Sequence, residues 1–437
     1  MSPIAAREPL FLSVLRHAPG LRSVRFVEAG FTVLGLFLFS QALIGPLFAP
    51  SGSEETSVIL RLMWLPVYAV TIVLMLARPG AILRTLSGNL LLILLIGLMA
   101  MSVMWSVAPD TTIRRAFALA MSSCFGLWMA SRWSWRELIL LIASTFVLLG
   151  LSSALLAIAL PSMGVDHAVH AGAWKGVFWE KNTLGAVMAW GAVSGYAASR
   201  VDPKHWLFWM GCAVMCIALV LLSTSKTALL SCLLGTGIAI GIALCRRGFG
   251  FASLMMFLGL TGGITIATIM LVAPVEALQA LGRDATLTGR TDIWGVLIEE
   301  IRTVPWTGYG YMAFWTAENG PVFWVRQATN WDVPTAHNGW IEIALAIGFP
   351  GVALTALVYL QAFKRGVGRL FRGPETYWAL AFIAMILLVS ISESNLVHQN
   401  SLGWVLFVAT SAKLAERRAR PARTSPDLAG GSGPVAR

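Results

Sequence analysis

His337 is the residue of this 437-residue chain best suited to act as a general base. It lies in the run VPTAHNGWIEIALAIGFPGVAL, where Thr335 is a plausible helix cap and an apolar segment follows. We therefore predict that His337 and Asn338 occupy the first turn of a helix. Because a helix N-terminus disfavours the imidazolium ion, His337 should stay neutral and able to accept a proton near pH 7.

Glu342 follows Asn338 at the i+4 position, one turn further along the same helix face. An ionisable residue at that depth in an apolar segment predicts a functional role. The alternative is a structural hydrogen bond to Asn338 or to a neighbouring helix. Gly348 and Gly351 come next, and their spacing permits a kink or the close approach of another helix.

Arg290 is the cation best placed to bind an anionic substrate. It opens a run that predicts an amphipathic helix, capped by Thr288 or Thr291 and ended by Pro305. The predicted apolar face of this helix comprises Trp294, Leu297, Ile298 and Ile301. Free N–H groups at a helix start and a guanidinium together suit a phosphate or diphosphate. The alternative is an arginine satisfied by loop carbonyls or by Glu299 and Glu300.

Three further groups of polar residues border apolar segments. Lys226 lies in the hydroxyl-rich run LLSTSKTALLS. The others are Lys181 with Asn182, in KGVFWEKNTLG, and the pair Arg114 and Arg115. A lysine at the end of an apolar segment more often extends its charge into water than binds a ligand, so these residues are supporting candidates unless the topology favours them.

The amino-acid composition indicates the class of fold that positions these residues. Hydrophobic residues make up 57% of the chain and charged residues only 12%, against about 25% charged in an ordinary soluble domain. We predict an all-α integral membrane protein, because twelve segments approach the length of about 20 residues that a membrane-spanning helix needs. They are residues 26–48, 57–77, 87–107, 113–130, 137–160, 183–199, 205–222, 226–245, 251–273, 336–362, 376–392 and 399–414.

The basic residues indicate the orientation. With twelve spans, 22 of the 32 lysines and arginines fall on the side of both termini, which places the termini in the cytoplasm. The net charge of +11 therefore orients the protein and does not indicate a nucleic-acid partner. Cations are scarce on the outer side, which favours a functional role for Lys226 and, more weakly, for Arg114 and Arg115.

Five segments follow from this topology. They are a cytoplasmic N-terminal segment 1–25, helices one to nine in 26–273, an outer loop 274–335, helices ten to twelve in 336–414, and a disordered cytoplasmic tail 415–437. The outer loop is far longer than a connector needs, which predicts a function. Its aromatic residues are typical of a membrane-interface belt, with a sugar-stacking surface as the alternative.

The chain lacks the usual motifs for nucleotides and metals. It has no Walker-type glycine loop, no paired cysteine or histidine spacing and no aspartate cluster on the outer side, and its five cysteines lie in apolar stretches. We therefore predict neither a metal nor a cofactor. One base and several cations suit displacement at a lipid diphosphate, in which the cations hold the leaving group.

Three ordered motifs resemble the O-antigen ligase and O-antigen polymerase superfamily of bacterial envelopes. They are Gly289-Arg290-Thr291-x-x-Trp294, then Pro305-Trp306-x-Gly308-x-Gly310, then His337-Asn338 followed at fixed spacing by Gly348 and Gly351. Lys181-Asn182-x-x-Gly185 and the Ser-Lys turn at 225–226 are similar to its less specific motifs. The resemblance covers roughly residues 170–360 by motif and the whole chain by its twelve spans and large late periplasmic loop.

The resemblance implies a metal-independent, inverting glycosyltransferase of the bacterial inner membrane, with its active face in the periplasm. Such an enzyme moves a glycan from undecaprenyl diphosphate to a growing repeat-unit chain or to lipid A–core. His337 would be the base, and Arg290 and Lys226 would bind the diphosphate. Membrane lipids and other polysaccharide assembly proteins are the further partners implied.

Lys226 bears on the choice between these two reactions. Ligases of the superfamily usually have arginine at this position, whereas the exopolysaccharide-polymerase branch often reads Ser-Lys-Thr-Ala, as this chain does. The resemblance therefore favours a polymerase, with O-antigen ligase as the first alternative. A transporter or flippase of lipid-linked sugars is the second alternative, but it would need polar residues near the middle of several spans.

Overall fold

The computed structural model describes residues 22–48, 62–167, 170–272, 290–316, 320–330 and 332–416. Within these ranges the chain is helical, and the extended pairing present there is a single bridge between Val165 and Trp174. The helices are α1 (Arg22–Phe39), α2 (Ile44–Phe48), α3 (Trp64–Leu76), α4 (Pro79–Ser87), α5 (Leu90–Met101), α6 (Pro109–Arg132), α7 (Trp135–Ala159), α8 (Pro161–Gly164), α9 (Lys181–Val201), α10 (Trp206–Leu222), α11 (Lys226–Cys245), α12 (Phe249–Val272), α13 (Arg290–Thr303), α14 (Pro321–Thr329), α15 (Gly339–Val367), α16 (Glu375–Ser390) and α17 (Leu402–Ala415).

Each of the twelve predicted segments overlaps at least one of these helices. Within the described part of the chain, four helical stretches are long and apolar enough to cross a membrane singly: Trp135–Ala159, Pro203–Leu222, Lys226–Cys245 and Gly339–Val367. Helices α3 and α4 pass that test together but are bent by 96°. The prediction of an all-α, multi-pass membrane protein is confirmed, whereas the count of twelve spans stays a prediction.

Parts of the predicted segments lie outside the described residues. These are the N-terminal segment before Arg22, residues 49–61 with the start of the predicted segment 57–77, residues 168–169, residues 273–289 of the outer loop with the candidate cap Thr288, residues 317–319 and 331 of that loop, and the tail after Glu416.

Small residues let the central helices approach closely. A Cβ on Gly191 or Gly195 of α9 would meet Cys216 or Ala213 of α10, and a Cβ on Gly235 of α11 would meet Met385 of α16. Such contacts suit a membrane bundle, because lipid chains are as apolar as leucine and close van der Waals packing then provides much of the attraction.

Ion pairs mark one end of the bundle, which we call the inner end. Arg132, the last residue of α6, pairs with buried Glu28 of α1 at 2.6 Å. Arg246, which follows α11, donates to Leu370 O at 2.8 Å and to Thr376 Oγ1 at 2.6 Å, beside the start of α16. Helices α11 and α16 are therefore antiparallel, and Lys226 lies with the C-terminus of α16 at the opposite, outer end.

Helix α15 is broken inside its apolar sequence. Ile347 (φ −140°, ψ 22°) and Gly348 (φ 65°, ψ −169°) leave the helical conformation. Gly339 and Tyr359, about 30 Å apart on a straight helix, both contact Leu396, because a Cβ on Gly339 would meet its Cβ and the Tyr359 hydroxyl donates to its carbonyl at 3.1 Å. The N-terminal part of α15 therefore folds back toward the bundle, so the kink expected from the glycine spacing is confirmed.

The segment Pro305–Gly310 fills this break. The N–H groups of Tyr309 and Gly310 donate to the carbonyls of Leu345 and Ala346, at 2.7 and 2.9 Å. In return, Phe349 N–H donates to Pro305 O at 2.8 Å. At the break, backbone groups without a helical partner therefore form hydrogen bonds to another segment. Such pairing is needed because an unpaired backbone group is costly in low-dielectric surroundings.

We expect Gly348→Ala to destabilise the protein by about 1–3 kcal/mol, because its φ disfavours a side chain and a Cβ would stand 2.5 Å from Pro305 O. Gly241→Ala in α11 is the control, since a Cβ there has open space around it. Thermal unfolding in detergent, followed by tryptophan fluorescence, measures both. Equal midpoints for the two variants would contradict the assigned role of the break.

Candidate functional site

His337 lies just before α15, in a strained backbone conformation. Its φ is +49°, in the left-handed region that non-glycine residues rarely adopt. Asn338 is the cap of α15, and its Oδ1 accepts from the N–H groups of Trp340 and Ile341 at 2.9 and 3.2 Å. The prediction that Thr335 caps the helix and that His337 lies in its first turn is therefore wrong.

Hydrogen bonds hold the peptide groups that flank this strained residue. The N–H of Ala336 donates to Glu342 Oε1 at 2.7 Å, and the carbonyl of Ala336 accepts from Trp294 Nε1 at 2.8 Å. His337 N–H donates to Thr335 Oγ1 at 3.4 Å. The backbone on the N-terminal side of the imidazole is thus fixed by side chains of α13 and α15, and Asn338 fixes the other side.

Glu342 accepts hydrogen bonds from three separate segments. Besides Ala336, Trp315 Nε1 donates to its two oxygens at 2.9 and 3.1 Å, and Ser394 Oγ donates to Oε1 at 3.1 Å. The structural alternative for Glu342 was a hydrogen bond to Asn338 or to a neighbouring helix; the carboxylate instead accepts from Ala336, Trp315 and Ser394, all of them outside α15.

Arg290 begins α13 and contacts the loop between α16 and α17. Its Nη1 donates to Ser392 O at 2.8 Å. Glu299 and Glu300, the alternative partners, bond elsewhere, to Arg302 at 2.6 Å and to the Tyr309 hydroxyl at 2.7 Å. A hydrogen bond to a loop carbonyl is what the structural alternative for Arg290 predicted. This bond places the guanidinium beside the histidine segment.

The surroundings of His337 favour the neutral imidazole. Burial lowers the pKa of His337 from its ordinary value of 6.5, and the positive charge of Arg290 lowers it further. The predicted neutral base therefore has a physical basis, although the cause differs from the helix dipole that the sequence suggested. The same observation shows that Arg290 and His337 are close enough to interact electrostatically.

The buried face of α13 differs in part from the predicted face. Ile293, Leu297 and Ile301 are buried, in a stripe spaced by four residues. Trp294 is half-buried and turned toward Ala336, whereas Ile298 is 44% exposed. The helix packs on the protein through the stripe that begins at Ile293, and Ile298 lies outside that stripe.

A second group of candidate residues lies where α9 and α11 begin. Lys181 Nζ donates to Thr224 Oγ1 at 3.3 Å, and a Cβ on Gly185 would meet Ser223 and Ala228. The Lys-Asn and Ser-Lys motifs therefore adjoin each other. Lys226 is exposed and Asn182 half-exposed at the first turns of these helices.

Both groups lie at the outer end of the bundle. Gly235 of α11 packs against Met385 of α16, and Lys226 lies nine positions before Gly235. Nine positions beyond Met385 is Ser394, so antiparallel packing puts Lys226 near the level of the loop that Arg290 contacts. This shared level is compatible with one extended anionic substrate.

The two arginines at the start of α6 have different surroundings. Arg114 is exposed and donates to its own helix, to Asp110 O and Thr111 Oγ1. Arg115 is half-buried, and its charge opposes the burial that raises the pKa of Tyr311. The Tyr311 hydroxyl in turn contacts Gln399 at 3.0 Å, so Arg115 lies toward the loop 391–401.

The loop 391–401 is the part of the site that the sequence analysis missed. Its Ser392 and Ser394 contact Arg290 and Glu342, and Gly339 leaves room for Leu396. The available signal was the polar run SESNLVHQNS between the last two apolar segments. Because it is short, it resembles a simple connector.

Comparisons with known proteins find the resemblance that the motifs suggested. Residues 211–356 match the protein family described as O-Antigen ligase. These residues contain Lys226, Arg290, His337 and Glu342. The chain is also 27% identical over 265 residues to the "Exopolysaccharide production protein ExoQ" of Rhizobium meliloti (strain 1021), covering 57% of this chain and 60% of that protein. The chain thus spans less than two thirds of its relative, and the resemblance to the superfamily is confirmed.

We expect His337→Gly to be more stable than His337→Ala by about 1 kcal/mol, because glycine adopts the left-handed conformation without the steric cost of a Cβ. Thermal unfolding of the two variants in the same detergent tests the difference. If the alanine variant is equally stable, the backbone at residue 337 is not strained.

Proposed function

We propose that this protein is a membrane glycosyltransferase that moves a glycan from undecaprenyl diphosphate to an acceptor hydroxyl, and that it polymerises exopolysaccharide or O-antigen repeat units. The observation that carries the proposal is the hydrogen bond from Trp294 of α13 to Ala336 O at 2.8 Å, which brings the helix that Arg290 begins to the segment of His337. The charge of Arg290 also contributes to the lowered pKa of His337. A neutral base next to a fixed cation suits a reaction in which a hydroxyl attacks and a diphosphate leaves.

The chemistry assigns one role to each group. The imidazole of His337 accepts the proton of the acceptor hydroxyl while its oxygen attacks the anomeric carbon of the donor sugar. The bond between that carbon and the diphosphate oxygen breaks, and the configuration at carbon inverts. Arg290, with Lys226 at the same end of the bundle, compensates the negative charge on the leaving diphosphate without needing a metal.

The location follows from the same assignment. We place the protein in the bacterial inner membrane, with both termini in the cytoplasm and the outer end of the bundle facing the periplasm. The excess of basic residues on the opposite side supports this orientation.

The polymerase assignment rests on two observations. Lys226 stands in the sequence Ser-Lys-Thr-Ala, and the similar protein from Rhizobium meliloti is described by its role in exopolysaccharide production. O-antigen ligase, with lipid A–core as acceptor, remains the alternative because the matched family is described as O-Antigen ligase.

Reconstitution with an undecaprenyl-diphosphate oligosaccharide tests the function and separates the two reactions. A polymerase makes longer lipid-linked glycans from the donor alone, whereas a ligase requires lipid A–core and extends it. We expect His337→Ala and Arg290→Ala to lose at least about 100-fold in activity while still inserting in the membrane. Wild-type product levels in both variants would disprove the proposal.

We expect activity to be retained as the pH falls to 6.5 and to be lost below it, because the base must be neutral and its pKa is lowered. Arg290→Gln removes one cause of that shift, so the acidic limb of its pH–rate profile should move to higher pH. Arg302→Gln, at the other end of α13, removes an equal charge from an exposed pair with Glu299 and is the control. If the acidic limb of the Arg290→Gln profile lies at the same pH as that of wild type, Arg290 does not lower the pKa of the base.

A further inference from the structure

We propose that Glu342 is a positioning residue, which acts on catalysis by fixing the backbone of His337. This inference rests on the proposed function only in taking His337 as the base. Glu342 bonds the N–H of Ala336, one residue before the imidazole, at 2.7 Å. It lies in the first turn of α15, whose first residue, Gly339, follows Asn338.

The strain at His337 explains why such a residue is needed. A left-handed conformation costs about 1–2 kcal/mol for an ordinary L-residue, so the segment would relax unless its neighbours held it. Glu342 holds one side of Ala336 and Trp294 holds the other. Without the bond from Glu342, the peptide before Ala336 is free to rotate, and the imidazole moves with the chain.

The carboxylate also joins the histidine segment to two other parts of the site. Ser394 belongs to the loop that contacts Arg290, and Trp315 belongs to the segment after α13. A single side chain therefore sets the positions of the base and of the loop beside the cation. Its partners are one backbone N–H, one indole and one hydroxyl, all of them neutral donors.

The set of donors explains why the residue is a glutamate. A carboxylate has only acceptors, and both of its oxygens are used here: Oε1 faces Ala336 and Ser394, and Oε2 accepts from Trp315 at 2.9 Å. A glutamine keeps one acceptor for Ala336. Its NH₂ group would then face the Trp315 N–H, donor against donor, and Trp315 would keep only its longer contact, 3.1 Å, to the remaining oxygen.

This mismatch gives a test that does not depend on simple loss of folding. We expect Glu342→Ala to lower kcat by about 100-fold, the loss that a displacement of about 1 Å can cause, with the KM for the donor within about twofold of wild type. Glu342→Gln should have intermediate activity. Trp315→Phe removes the facing donor, so the double variant Glu342→Gln/Trp315→Phe should be more active than Glu342→Gln alone.

Glu300→Gln is the matched control, because Glu300 also accepts from an aromatic side chain, the Tyr309 hydroxyl at 2.7 Å, but does not bond the histidine segment. Its kcat should stay near that of wild type. Wild-type kcat in Glu342→Ala, or a double variant no more active than Glu342→Gln, would overturn the positioning role.

Hydrogen exchange gives a readout that is independent of catalysis. In the full-length protein, the amide of Ala336 should exchange faster in Glu342→Ala than in wild type and should be unaffected in Glu300→Gln. Unchanged exchange in Glu342→Ala overturns the inference. If the Ala336 amide exchanges faster in Glu342→Ala but the wild-type protein transfers no glycan, the contact is supported and the proposed function is overturned.

Discussion

The break in α15 leaves peptide groups that no helix can pair, and much of the outer end is built around pairing them. A helix satisfies its own carbonyls, but that of Leu345 loses its partner where Ile347 and Gly348 leave the helical conformation, and that of Ala346 faces Pro350, which has no N–H. The segment Pro305–Gly310 supplies the missing donors and thereby fixes the end of α13. Because Arg290 begins α13, the position of the cation depends on this exchange of hydrogen bonds.

The break also explains two of the sequence motifs by geometry. Gly308 and Gly348 both have φ of +65°, and a Cβ on either would meet the backbone of the other segment. The glycines of the two motifs are thus the two sides of one contact. Gly310 makes a similar close approach, to Ser106, which links the same segment to the end of α5.

The helices could be predicted from the sequence because length and hydrophobicity are local properties. Helix α11 was predicted at 226–245 and has these bounds. The fold-back of α15, the cap at Asn338 and the exposure of Ile298 could not, since each depends on which segment packs alongside. Glu342 was identified by its depth, but its three donors come from residues 315, 336 and 394, which no spacing rule brings together.

The lengths of α16 and α17 have a consequence for the loop that joins them. At 16 and 14 residues, these helices rise about 24 and 21 Å, less than the hydrocarbon thickness of about 30 Å. Trp404, near the start of α17, bonds Ser123, about 21 Å along α6 from its outer end. The loop that joins α16 and α17 therefore ends inside the bundle, below the outer end of α6. Irregular backbone at that depth is tolerated where it is buried or lines water. The carbonyls of this loop must therefore be paired by protein side chains, as Arg290 pairs Ser392 O and the hydroxyls of Tyr311 and Tyr359 pair the carbonyls of Val397 and Leu396.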